Sequence, residues 1–359
     1  FARTETGDDY QILLDRVRAR VGEKRFALGV QLIEGRHDAL DISAGYARVA
    51  EAAIQVLTDA TITEFEETHG KVPGCGLLIL ALGRLGGEAL THASDLDLIF
   101  LFSGDHSAES DGKRSLGATQ YYNRLTARIV TALSVPTAAG PLYEVDTRLR
   151  PSGTQGPLAV TLESFYKYQR ESAWTWEHMA LTRARPVYGD KADRAELEQQ
   201  IRGILRKDRE PEELRKAVRK MRLDIVEHKP PKGPLDTKMM EGGLVDWEFI
   251  IHFLQLKTGE ALYPQLGKAV RALVATGDLG EEMVAAYELM ARLLVALRLM
   301  SPDCDFPPVT SRALIAKSAG QESWEALLDG YDKARQCVID EWNRHLRPDP
   351  DEILGDVTR

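Results

Sequence analysis

The run LILALGRLGGEALTHASDLDLIFLF, from Leu78 to Phe102, constrains this chain more than any other stretch. It reads as an apolar strand, a glycine-bearing turn and a second strand headed by Asp95 and Asp97. Side chains alternate faces along a strand, so the two carboxylates share a face about 7 Å apart. Like charges that close repel, and they sit at the head of an otherwise apolar strand, so the pattern calls for a cation between them. Hard oxygen donors in small number fit Mg²⁺, which takes one or two carboxylates and completes its shell with substrate phosphates. Gly83, Gly86 and Gly87 let the backbone turn sharply and approach phosphate oxygens through main-chain N–H groups. GRLGGEAL has neither the spacing of a Walker A loop nor that of a dinucleotide fingerprint. Taken alone, a DxD beside glycines also occurs as a plain surface turn.

Support comes from YEVDTRLRPSG, Tyr143–Gly153. Read as part of a third strand, Leu142–Leu149, its alternation places Glu144, Asp146, Arg148 and Arg150 on one face. If that strand lies beside the aspartate strand, Asp146 completes a three-carboxylate set with Asp95 and Asp97. Such a set can hold two Mg²⁺ ions for an in-line phosphoryl or nucleotidyl displacement. Asp146 also fits a base role at the nucleophile. Arg148 and Arg150 offer bidentate contacts to a triphosphate. The alternative is an internal salt-bridge ladder between Asp146 and either arginine.

At 359 residues the chain is expected to hold two or three domains. Its 28% charged content and lack of a long apolar run predict no membrane association. A net charge of −9 argues against a nucleic-acid grip built on counterion release. Cys75, Cys304 and Cys337 form no CxxC, so neither a disulfide framework nor a zinc site is indicated, and a reducing cytoplasm is the expected setting. The chain opens on Phe1 rather than Met, the mark of a fragment or processed product, which leaves an upstream targeting segment open.

Helical periodicity covers about Asp8–Glu67, Thr119–Leu133, Leu162–Arg183, Ala192–Leu205, Pro211–Val226, Leu244–Leu256, Glu281–Leu299 and Ser323–Leu346. KPPKG at Lys229–Gly233 is a hinge-like linker, and Pro302–Pro308 a loop between the last two long helices. Phe165, Tyr168, Trp174 and Trp176 are expected in a helical core. Asp246 is expected to favour its helix N-terminus, with Glu248, His252 and Gln255 on another face open to a partner or nucleotide. Lys238 is a candidate for a terminal phosphate across an interdomain cleft, while Arg183 and Arg185 are weaker phosphate candidates.

GRLGG, SDLDLIF, YEVDTRLRPSG, AWTWEHMALTRARPVYGD and EGGLVDWEFIIHFLQL, in this order and at these separations, resemble the glutamine synthetase adenylyltransferase family. The resemblance runs from about Leu80 to Leu256. It implies an α+β fold: a DNA polymerase β-like nucleotidyltransferase domain with a small mixed sheet, flanked by helices and followed by an α-helical bundle. The corresponding expectation is an N-terminal helical segment at 1–70, the nucleotidyltransferase domain at 71–228 and the bundle at 229–359. By position, Asp95, Asp97 and Asp146 match the family's metal acids, and Gly86, Gly87 and Ser94 its nucleotide-cradling motif. The implied reaction is Mg²⁺-dependent transfer of AMP from ATP to a tyrosine of glutamine synthetase, or the phosphorolytic removal of that AMP by the family's other half. The blocks resemble the adenylylating half more. Glutamine synthetase and a PII-type regulator are the implied partners, with no nucleic acid. A catalytically silent nucleotide- or PII-binding module is the remaining alternative, against which three costly carboxylates speak.

Overall fold

The structure, a computed structural model, describes residues 10–347. Asp8, where the first helical reading begins, and the outer ends of the segments 1–70 and 229–359 lie outside the described residues. The elements run α1 (Tyr10–Glu34), α2 (Ala39–His69), β1 (Gly76–Ala81), α3 (Gly83–Gly86), β2 (Leu96–Ser103), α4 (Ala118–Ser134), β3 (Val145–Asp146), β4 (Ala159–Thr161), α5 (Leu162–Glu171), α6 (Thr175–Leu181) and β5 (Arg185–Tyr188). They continue with α7 (Lys191–Leu205), α8 (Pro211–His228), α9 (Leu244–Thr258), α10 (Leu266–Ala275), α11 (Glu282–Met300), α12 (Val309–Ser318) and α13 (Trp324–Leu346).

The chain forms two compact units. One holds the chain through Gln31, Asp41–Ala173 and Arg183–Ile204; the other holds Leu32–Leu40, Trp174–Thr182 and the chain from Leu205 onward. The first unit is built on a small mixed sheet. β1 pairs antiparallel with β2 from Gly76↔Ser103 to Ala81↔Leu98, and antiparallel with β5 on its other edge. The far edge of β2 is shared by two short parallel strands: β3 at its start and β4 towards its end. Because helices cover the sheet, β1 and β2 read as continuous apolar runs, with Leu78, Ile79, Leu80, Phe100 and Leu101 fully buried. The amphipathic helix α4 sets Tyr121, Tyr122, Leu125, Ile129 and Leu133 into the core, where Tyr122 stacks on Phe102 with ring centroids 4.6 Å apart.

The second unit is helical. α9 is apolar on almost every side and buried through its length, as a central helix must be. Trp247 stacks on Tyr287 of α11 and donates its indole N–H to Met283 O at 3.0 Å. Asp246 does more than favour a helix terminus. It pairs with Arg222 of α8 while both are about nine-tenths buried, and it accepts the Gly242 N–H at 2.7 Å.

Several sequence expectations are corrected by tertiary context. The strand over Leu142–Leu149 is paired only at Val145–Asp146, because a turn closed by the Arg150 N–H on Thr147 O takes the chain out of the sheet. The helix over Leu162–Arg183 is two helices. Ser172 ends α5, and the Glu177 carboxylate accepts the Trp174 N–H at 2.9 Å to open α6. Its last residues lead into β5, unmarked in the sequence because a four-residue strand carries too little periodicity. Trp174 and Trp176 are not core residues: they are 70% and 38% exposed, whereas Phe165 is fully buried. α12 lies between the last two long helices, immediately after the Pro302–Pro308 loop.

Candidate active site

The site lies in the first unit, at the end of the sheet where β1 leaves and β2 begins. The chain leaves β1 at Ala81, where the Leu82 N–H bonds Asp97 O at 3.0 Å, and enters the single turn α3. Gly83 has φ +53°, and a Cβ built on it lies 2.1 Å from Asp97 Oδ2. Glycine is therefore required twice, by conformation and by the carboxylate pressed against it. Gly86 is held still more tightly, since a Cβ there meets Arg183 O at 2.0 Å and Ala81 O at 2.7 Å.

The N–H groups of Gly86 and Gly87 donate to Leu82 O at 2.8 Å and Gly83 O at 3.1 Å. These two glycines thus act by allowing close packing, which corrects the expectation that their N–H groups point at phosphate. Ser94 closes the approach to β2: its Oγ accepts the Thr91 N–H at 2.9 Å and lies 2.9 Å from Thr91 Oγ1.

β3 lies parallel to β2 in the register Leu96↔Val145 and Asp97↔Asp146, and the Leu96 N–H donates to Glu144 O at 2.9 Å. This register brings Asp146 beside the aspartate pair. Carboxylate oxygens of Asp95, Asp97 and Asp146 lie within 4.8 Å of one another, with Asp95 exposed and the other two half-buried. Carboxylates this close repel one another, and a cation among them relieves that repulsion. The donor set, all hard oxygens, fits Mg²⁺ or a similar divalent cation.

Arg148 supplies positive charge at Asp146. Its Nε donates to both carboxylate oxygens at 3.0 and 2.9 Å, its Nη2 also reaches Asp146, and its backbone N–H donates to Oδ1 at 2.8 Å. The hydrogen bond and charge of Asp146, followed by the charges of Asp95 and Asp97, hold the guanidinium pKa above its ordinary value.

Arg150 has a different setting. It is buried, and its guanidinium donates to Gly156 O at 3.2 Å and to Thr147 O and Oγ1 at 2.9 and 3.1 Å, stapling its own loop. Lys238 is exposed and belongs to the second unit. His252 and Gln255 are buried inside that unit, where His252 Nδ1 lies 2.8 Å from Thr182 Oγ1 and 3.3 Å from Gln255 Oε1. That corrects the reading of their face as open to a partner.

The residue the sequence undervalued is Arg185. Its guanidinium donates to Gly86 O at 3.2 Å and Leu85 O at 3.3 Å, and pairs with Glu51 of α2, so it clamps the glycine turn from behind. Its position at the head of β5 gives it that role, and a four-residue strand carries no pattern from which to read it. Substituting Gly83→Ala is expected to cost about 1–2 kcal/mol of stability from the left-handed backbone alone. By displacing Asp97 it should also cost at least about 10²-fold in activity. Denaturant unfolding and an activity assay read the two effects separately.

A small mixed sheet that presents three converging carboxylates beneath a glycine turn defines an α/β protein whose acids stand close enough to share a cation. The family described as glutamate-ammonia ligase adenylyltransferase matches residues 4–200, and the chain belongs to it. Bifunctional glutamine synthetase adenylyltransferase/adenylyl-removing enzymes are similar over most of this chain. That of Brucella suis is 41% identical over 324 residues, covering 87% of this chain and 33% of the relative. That of Rhizobium meliloti is 40% identical over 84% of this chain and 32% of its own length, and that of Agrobacterium fabrum 42% identical over 81% and 30%. The chain spans about a third of the length of these relatives.

Proposed function

We propose that this chain transfers AMP from ATP to a tyrosine hydroxyl of a glutamine synthetase, releasing pyrophosphate, through a polymerase β-like nucleotidyltransferase domain within residues 71–228. The proposed helical segment 1–70 and bundle 229–359 flank it. The observation that carries the reading is the convergence of Asp95, Asp97 and Asp146 within 4.8 Å on the first unit's sheet. Membership of the adenylyltransferase family supports it.

Asp95, Asp97 and Asp146 would hold Mg²⁺, one ion or two. When bound there, the metal would lower the pKa of the attacking hydroxyl and offset charge on the leaving pyrophosphate. The rest of the chemistry falls to the chain. Asp146 would take the proton from the tyrosine oxygen. Arg148 offers its fork to the triphosphate, Arg150 keeps the loop that carries Arg148 in shape, and Arg185 holds the glycine turn against which the nucleotide lies. Gly86, Gly87 and Ser94 shape that turn, and Lys238 is the second unit's phosphate candidate. No nucleophile from this chain is needed, because the attacking oxygen belongs to the partner.

Labelled ATP, Mg²⁺ and glutamine synthetase are expected to yield labelled, adenylylated glutamine synthetase. The second reading, phosphorolytic removal, is favoured by the relatives' double name. Release of ADP from adenylylated glutamine synthetase and phosphate, with no forward transfer, would establish that reading instead. A PII-type regulator and a cytoplasmic setting complete the proposal. Among the described residues no helix is long and apolar enough to cross a membrane.

A further inference from the structure

Arg148 stands where a cation would. Its guanidinium spans both oxygens of Asp146 while its own backbone N–H holds Oδ1, so the carboxylate is gripped from two sides by one residue. The two grips differ in permanence. The backbone contact belongs to the turn that ends β3, but the Arg148 side chain is 74% exposed against 17% for Asp146. An exposed guanidinium of this kind adds little stability to the fold and rotates away at small cost. The surrounding charge nevertheless favours a cation here, because Asp95 and Asp97 also act on the same guanidinium. The fixed backbone contact keeps Asp146 aimed while the mobile charge occupies it.

We propose that Arg148 is a tethered counter-ion, which neutralises Asp146 until a divalent cation takes its place and which then turns to the triphosphate. The inference rests on the reading of the triad as a metal site. It predicts effects of opposite sign from one substitution. Without nucleotide, Arg148→Gln removes a competitor, and Mn²⁺ binding, read from the paramagnetic resonance of free Mn²⁺, should tighten about two- to fivefold. With Mg²⁺ present, α,β-methylene-ATP should bind about tenfold more weakly, because a charge-assisted contact is lost. In the unaltered protein, the Arg148 Nε–H resonance should move from a hydrogen-bonded to a solvent-exchanging position as Mg²⁺ saturates.

Mn²⁺ binding that is unchanged or weaker in Arg148→Gln would overturn the proposal, as would an Nε–H resonance indifferent to Mg²⁺. If Asp95→Asn with Asp97→Asn binds Mn²⁺ as the unaltered protein does, the metal reading itself fails, and the two failures are thereby told apart.

Discussion

Replacing Asp95 and Asp97 together by asparagine should lower the proposed AMP transfer by at least about 10³-fold, while the fold stays intact. Asparagine keeps the shape but removes two of three charges, and the several kcal/mol of charge stabilisation that a bound divalent ion supplies would go with them. Removing charge here should not destabilise the chain, because Asp95 is exposed and the acids repel one another across less than 5 Å. The same variant has a second readout. In the unaltered protein, Mg²⁺ should raise the free energy of unfolding by linkage, by about 2.7 kcal/mol at a hundredfold excess over Kd. In the variant that response should vanish. Transfer that survives the double change would sink the assignment of these acids.

The largest loss of stability is expected in the second unit, from Asp246→Ala. Arg222 and Asp246 are each about 8% exposed, and Arg222 Nη2 also donates to Met239 O at 3.2 Å. Arg222 Nη1 is already buried without a partner. Taking away the carboxylate leaves a buried guanidinium uncompensated and frees the Gly242 N–H that Asp246 accepts, a cost of about 3–5 kcal/mol. Arg222→Met combined with Asp246→Leu should recover much of that, since removing both charges also removes the desolvation penalty. Urea unfolding of the single and double variants measures the difference. A single-variant loss below about 1 kcal/mol would show that the pair is solvated in solution.

Much of the sheet was legible because its information is local. Unbroken apolar runs marked β1 and β2, and period-two spacing put Asp95 and Asp97 on one side before any partner strand was known. Asp146 was legible only in part: its sequence neighbours place it on a strand face, but its position opposite Asp97 is a matter of pairing register, which no single strand encodes. Arg150 escaped the same reasoning. The alternation that served Asp146 and Arg148 assumes a strand that continues, and the turn at Thr147 ends it, so Arg150 folds onto its own loop. Trp174 and Trp176 were read as core on helical aromatic spacing, but that spacing assumes one continuous helix, and the helix ends at Ser172. Arg185 acts on Leu85 and Gly86 from about a hundred residues away, a relation that only the folded sheet creates.

The two short strands on the outer edge of β2 have a consequence for how such a site can diversify. The chain leaves that edge opposite Asp97 and rejoins it opposite Phe100, so residues 147–158 form an excursion whose ends are pinned about 10 Å apart by the sheet. Its length is thereby uncoupled from the alignment of the acids. Doubling such a loop costs only about 0.6 kcal/mol in closure entropy and leaves Asp146 in register. The reacting centre and the segment carrying Arg148 and Arg150 can therefore change at different rates: one is fixed by strand pairing, the other free to lengthen or be recast for a new nucleotide or partner.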